Sequence, residues 1–132
     1  MTDDVLHLIS WHNGEKEYSP FSEAEMKRRQ NDIRRWMTEN NVDATLFTSY
    51  HCINYYSGWL YCYLGRKYGM VLDSDKASTI SAGIDGGQPY RRSFGDNITY
   101  TDWRRDNFYR AARQLTAGAK WRADASHILP GE

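Results

Sequence analysis

S-E-A-E-M-K-R-R-Q-N-D-I-R-R-W-M-T-E-N, residues 22–40, runs straight into N-V-D-A-T-L-F-T-S-Y, residues 41–50, and the change of pattern between them decides the fold class. Ser22 followed by Glu25 has the spacing of a capping box, and Phe21 before it can close a hydrophobic staple on Met26. Met26, Ile33, Trp36 and Met37 recur at helical spacing, so a helix is predicted from about Glu23 to Asn40 with this stripe against a core. Lys27, Arg28, Arg29, Asp32, Arg34 and Arg35 read as its solvated flanks. Past the turn at Asn40-Asn41, Val42 to Tyr50 carries the β-branched and aromatic content of a strand. A helix feeding a strand through a short turn is the building unit of an α/β layered domain.

The rest of the chain extends that unit. His51 to Ser57 reads as a short helical turn ending at Gly58. Trp59 to Leu64 and Tyr68 to Leu72 read as two strands around the turn Gly65-Arg66-Lys67, and after the polar turn Asp73-Ser74-Asp75-Lys76 a third strand, Ala77 to Ala82, returns beside them. Ile84 to Pro89 carries two glycines and a proline and is expected to be a loop that presents Tyr90, Arg91 and Arg92. Asn97 to Thr101 is a last short strand, and Asp106 to Ala117 a helix with Phe108, Ala111, Ala112 and Leu115 on one side. Residues 1–20 show no periodic order and read as an N-terminal arm, leaving 21–132 as one domain. The expected fold is a mixed β-sheet flanked by helices.

Composition excludes several function classes. The chain has 132 residues and 40% hydrophobic content, enough for one core and not two. Lysine plus arginine and aspartate plus glutamate each total 17, so no electrostatic footprint for nucleic acid or an anionic membrane is visible. No apolar run approaches a membrane span and the acidic start is no signal peptide, which points to a cytoplasmic protein. Cys52 and Cys62 have no second pair or histidine cluster beside them, and His7, His12, His51 and His127 are scattered. No metal site, no cofactor and no catalytic residues are therefore expected.

Chemistry concentrates between Thr48 and Arg66. Tyr50, Tyr55, Tyr56, Trp59, Tyr61 and Tyr63 supply flat surfaces with polar tips, and Gly65-Arg66 sets a guanidinium fork on a permissive backbone. Such a wall suits a small polar ligand with a carboxylate, which an arginine grips through two parallel bonds. The alternative is a tyrosine-rich strand pair whose rings pack a sheet and whose arginine is solvated.

Five motifs in order carry a resemblance. T-S-Y-H-x-I-N-Y-Y-S at 48–57, L-Y-C at 60–62, G-R at 65–66, I-D-G-G-Q-P-x-R-R at 84–92 and Y-T-D-W-x-R-D-N at 100–107 are similar to the N-terminal domain of the creatinases, over roughly Phe21 to Gln114. The resemblance implies the creatinase/prolidase N-terminal-domain fold and a non-catalytic part in a homodimeric amidinohydrolase that converts creatine and water to sarcosine and urea. The family's catalytic histidine and glutamates belong to a larger C-terminal domain, so these 132 residues alone are expected to be inactive. In that family the phenylalanine and arginine of an F-G-R segment help close the neighbouring subunit's active site over the substrate. Arg66 holds the arginine position and Leu64 the phenylalanine position, so Arg66 and Leu64 are the substrate-binding candidates for creatine or a similar guanidino carboxylate. A leucine keeps apolar contact but offers no ring face to a guanidinium. Asp102 and Asp106 are read as helix caps that pair with Arg104 or Arg105, and Trp121 to Glu132 lacks the alternation of the family's next strand, which is missing or disguised. Two alternatives remain: a stand-alone dimerisation or small-ligand-binding module, and the N-terminal domain of a related prolidase or aminopeptidase P-type metallopeptidase.

Overall fold

In a computed structural model, which describes residues 8–9, 14–17, 19–60, 66–85, 87–100, 107–119 and 122–124, helix α1 (Glu23–Glu39) starts at the predicted cap. The Ser22 hydroxyl accepts the Glu25 N–H at 3.1 Å. Glu25 directs its own carboxylate to Arg28 and Arg29. The helix stops in a Schellman turn: Asn41 takes the left-handed conformation (φ 56°) and the Val42 N–H reaches back to the Met37 carbonyl at 2.8 Å. That reversal sends the chain into strand β2 (Ala44–Phe47). The strand is shorter than the predicted 42–50 because Ser49 caps a second helix, α2 (Tyr50–Ser57), by accepting the Cys52 N–H.

Two polar residues of α1 hold the end of α2. Met26, Ile33 and Met37 are buried as the stripe predicts, but so are Arg29 and Gln30, which fall on the same face. The last carbonyls of a helix have no intrahelical partner, and here α1 supplies them. Arg29 donates to the Tyr55 carbonyl at 3.1 Å and Gln30 to the Tyr56 carbonyl at 2.9 Å, while the Phe94 N–H takes the Ser57 carbonyl at 2.7 Å. Gly58, at φ 79°, closes the helix on Asn54. Arg29 therefore belongs to the interior, not to the solvated flank, and its guanidinium lies between the rings of Phe21 (4.1 Å) and Tyr55 (4.3 Å).

Strands β3 (Gly69–Asp73), β4 (Ala77–Ala82) and β5 (Asp96–Tyr100), with short edge strands β1 (Leu8–Ile9) and β6 (Arg122–Asp124), complete a six-stranded mixed sheet in the order β1-β5-β4-β3-β2-β6. β3 is antiparallel to both β2 and β4; β4–β5 and β2–β6 are parallel. The place beside β3 predicted for 59–64 is taken by β2, since β3 has β2 on one side and β4 on the other. Trp59 and Leu60 are not in a strand, and residues 61–65 lie outside the described residues. The tail does supply a strand: β6 pairs with β2 from Ala44↔Arg122 to Leu46↔Asp124. Asp102, Arg104, Arg105 and Asp106 lie outside the described residues.

Side-chain alternation divides the core in two. Phe47, Met70 and Leu72 pack with Ile33, Met37, Ile53, Tyr56 and Trp59 beneath α1 and α2. Val71, Ile80 and Ile98 pack on the other face with Phe108, Ala111 and Ala112 of helix α4 (Asn107–Leu115). β3 thus reads as a continuous apolar run because both its faces are covered. Gly69 is needed there, for a Cβ would lie 2.9 Å from the Phe108 ring and 3.1 Å from the Phe47 carbonyl oxygen. The polar residues of β4 and β5 satisfy one another: the Asn97 amide donates to Thr79 (2.9 Å) and Ser81 (3.1 Å), and Thr99 donates to the Asn97 oxygen (2.8 Å).

The predicted loop at 84–89 contains a 3₁₀ turn (Gly83–Asp85) and then helix α3 (Gln88–Arg92), because proline is tolerated in a first helical turn. The arm is fastened to this region. Lys16 donates to the carbonyls of Tyr90 (2.6 Å), Ser93 (2.8 Å) and Gly95 (2.6 Å), and the Glu17 carboxylate reaches Arg92 at 3.0 Å. Burial pulls the Lys16 ammonium down to about 8 against the opposing charge of Asp96.

Candidate functional site

Three strands present their C-terminal ends at one edge of the sheet, where open α/β folds place their ligands. Phe47 of β2 stands opposite Met70, and Ala82 of β4 stands beside Tyr100 of β5. Arg66 enters at this edge, exposed, in the segment leading to β3. β3 and β4 pair from Gly69↔Ile80 to Leu72↔Ala77, and the 3₁₀ turn 83–85 continues from the C-terminal end of β4.

The neighbouring groups are polar and partly tied. The Tyr100 hydroxyl donates to the Lys67 carbonyl, fixing the lead-in to β3, and the Lys67 ammonium donates to the Tyr109 hydroxyl at 2.9 Å. The positive charge of Arg66 acts on Asp85, whose carboxyl is pushed above the usual carboxylate range by burial and drawn back by that charge. Oδ2 of Asp85 is buried with no hydrogen-bond partner among the described residues. Ile84, between Asp85 and the strand, is 75% exposed, so the turn offers a bare apolar surface next to these charges.

Two rings of the aromatic wall belong to the core. Tyr56 packs on Phe47 with ring centroids 5.0 Å apart and Trp59 on Tyr68 at 5.4 Å, both in the core beneath α1 and α2. Burial raises the Tyr56 hydroxyl to about 12, so it stays protonated. Tyr50 and Tyr55 are half-buried. Leu64, Tyr61 and Tyr63 lie outside the described residues. Among the described residues there is no group of three or more histidine, cysteine, aspartate or glutamate side chains that could hold a metal ion. Nor is any helix among them long and apolar enough to cross a membrane.

Asp85 was legible as part of a motif, but the pull of the Arg66 charge on its carboxyl was not, since nineteen positions of sequence separate the two. Lys67 and Tyr109 were missed for the same reason.

Comparison with known proteins agrees with this architecture. The fold is that of the creatinase/prolidase N-terminal domains: the domain of that name from an X-Pro dipeptidase of Streptococcus pyogenes superposes with a TM-score of 0.63 at 15% identity, covering 76% of this chain and 79% of that one. A creatinase-superfamily domain of a Streptococcus thermophilus dipeptidase gives 0.62 at 12% identity, over 76% and 77% of the two chains. Xaa-Pro dipeptidase from Bacillus anthracis gives 0.61 at 12%, covering 78% of this chain and 28% of that one.

Sequence narrows the likeness. Over 115 residues, 87% of its length, the chain is 50% identical to creatinase from Bacillus sp. (strain B-0618). The chain spans 28% of the length of that protein. No family model matches. The resemblance carried by the five motifs holds: this is a relative of creatinase with the fold of a creatinase/prolidase N-terminal domain.

Proposed function

We propose that residues 21–132 form the non-catalytic N-terminal domain of a creatinase-like amidinohydrolase, and that Arg66 helps close the active site of a neighbouring subunit by binding the carboxylate of creatine or a similar guanidino acid. The observation that carries the reading is the 50% identity to a creatinase together with an exposed arginine at the strand-end edge of the sheet. An arginine there has a fork that fits a carboxylate and a base tied down through Lys67 and Tyr100. Leu64, which replaces the family's phenylalanine, supplies apolar contact without a ring, so the guanidinium end of the substrate is held by the catalytic unit of the parent enzyme. Homodimerisation follows from this arrangement, because a residue that closes a neighbour's site needs a neighbour.

The test is steady-state kinetics on the parent enzyme. A partly desolvated charge-assisted pair is worth roughly 1.5–3 kcal/mol, so Arg66→Ala is expected to raise KM for creatine about ten- to a hundred-fold. Arg66→Lys restores only part, since a point charge does not reproduce the fork. An unchanged KM in Arg66→Ala makes Arg66 a solvated turn arginine and ends the proposal.

A further inference from the structure

Arg91 and Arg92 close the motif I-D-G-G-Q-P-x-R-R, and the substrate reading of Arg66 leaves them without a task. They end helix α3, where consecutive side chains ordinarily do not face each other. Here both guanidiniums reach one carboxylate. Oε1 of Glu17 lies 3.6 Å from Nε of Arg91 and Oε2 lies 3.0 Å from Nε of Arg92, so each oxygen faces one arginine. The backbone delivers that carboxylate: the Glu17 N–H donates to the Arg91 carbonyl at 2.7 Å, and Lys16 beside it is anchored on the carbonyls of Tyr90, Ser93 and Gly95. Glu17, Arg91 and Arg92 line a groove with the first turns of α1, the turn at 75–77 and the start of β5. Because Ser78 pairs with Asp96 and Ala82 with Tyr100, this groove lies at the end of β4 and β5 opposite the Arg66 edge.

We infer that Arg91 and Arg92 form a binding site for a phosphate group, free or as a phosphomonoester, and that the Glu17 carboxylate is its internal stand-in. Charge favours the exchange: the two guanidiniums share one negative charge from Glu17, whereas a phosphate carries up to about two at neutral pH and compensates both. Hydrogen bonding favours it too. A guanidinium offers five N–H donors in a fork that suits phosphate oxygens, yet among the described residues these two side chains donate one side-chain hydrogen bond between them, from Arg92 to Glu17. The exchange also disturbs little. Both ion pairs are open to solvent and weakly held, and only the Glu17 side chain has to swing away, since its own N–H and Lys16 keep the arm in place. Until then Glu17 offsets the repulsion between two adjacent cations, so the site is kept ready without being left uncompensated. A neutral ligand has no charge with which to displace it.

The test is a titration of the 132-residue chain followed by nuclear magnetic resonance at constant ionic strength, with inorganic phosphate and phenyl phosphate as separate probes and chloride as the control. The Nε–Hε signals of Arg91 and Arg92 are expected to shift saturably with phosphate, and the side-chain carboxyl carbon of Glu17 to move with the same midpoint as it is set free. Glu17→Gln removes the competitor and should tighten phosphate binding about two- to five-fold, the factor that release from an exposed ion pair provides. Arg91→Gln combined with Arg92→Gln should abolish the saturable shift. Tighter binding of inorganic phosphate supports a site for the free anion, and tighter binding of phenyl phosphate a site for an ester. Shifts that match those in chloride, saturable shifts centred on Arg66 with Arg91 and Arg92 unmoved, or an affinity unchanged by Glu17→Gln would each overturn the inference. The coupled Arg92 and Glu17 signals of the unaltered chain decide the question even if a variant folds poorly.

Discussion

Arg29→Ala should destabilise the fold far more than its place in a run of basic residues suggests. The side chain is 9% exposed, donates to Glu25 at 2.8 Å and to the Tyr55 carbonyl at 3.1 Å, and is stacked between the rings of Phe21 and Tyr55. Truncation strips the end of α2 of one of the donors that α1 provides. A hydrogen bond from a charged group contributes about 1.5–3 kcal/mol and each ring contact about 0.5–1 kcal/mol, and because these share one side chain they overlap, giving an expected loss of about 2–4 kcal/mol. Arg29→Lys keeps the charge but not the plane or the fork, and should recover less than half. The control is Lys27→Ala, whose ion pair with Glu23 at 3.1 Å is exposed on both sides and is worth less than about 0.5 kcal/mol. Urea unfolding followed by tryptophan fluorescence, with the slope checked for constancy, reads all three variants. An Arg29→Ala loss no larger than that of Lys27→Ala would refute the claim that α1 caps α2.

Two further outcomes follow from the same helix. Ile33→Ala truncates a residue that is 4% exposed in the core cluster with Met37, Tyr56 and Leu72 and should cost about 2–4 kcal/mol in the same urea assay; a loss well below 1 kcal/mol would place it on the wrong face. Hydrogen bonds from Arg28 and Arg29 hold the Glu25 carboxyl down to about 2, so its folded state binds its proton later than the unfolded chain does, and its stabilisation, complete above about pH 4.5, fades as pH falls towards 2. Glu25→Gln should flatten that part of the stability profile measured by thermal unfolding between pH 5 and 2; an identical acid slope would show the interaction to be silent.

What the sequence revealed and what it hid divide along physical lines. Signals that act within one turn were readable: Ser22 capping α1, Asn41 ending it, Gly58 ending α2, and the boundaries of β4. Residues 26, 30, 33 and 37 already lie at helical spacing, so Gln30 could have been placed in the stripe, and its neighbour Arg29 with it; their polarity argued against burial because their partners, the carbonyls of α2, are supplied only by tertiary structure. β1 and β6 were not legible, since two or three residues paired through backbone at a sheet edge need no side-chain alternation. The apolar–aromatic richness of 50–59 was read as a ligand wall, whereas Tyr56 and Trp59 serve the core. Arg66 was found from its motif.

The Lys16 ammonium spends all three of its N–H bonds on three backbone oxygens of a single bend, those of Tyr90, Ser93 and Gly95. Those oxygens converge because something positive sits among them; take the lysine away and their dipoles face one another across an empty centre. A version of the protein trimmed to begin at Pro20 would lose the keystone of that bend, and the disturbance would enter β5 through Gly95, where the bend meets the strand. Lys16 thus acts as a stopper seated from outside, and a bulky group put in its place would press on the start of β5.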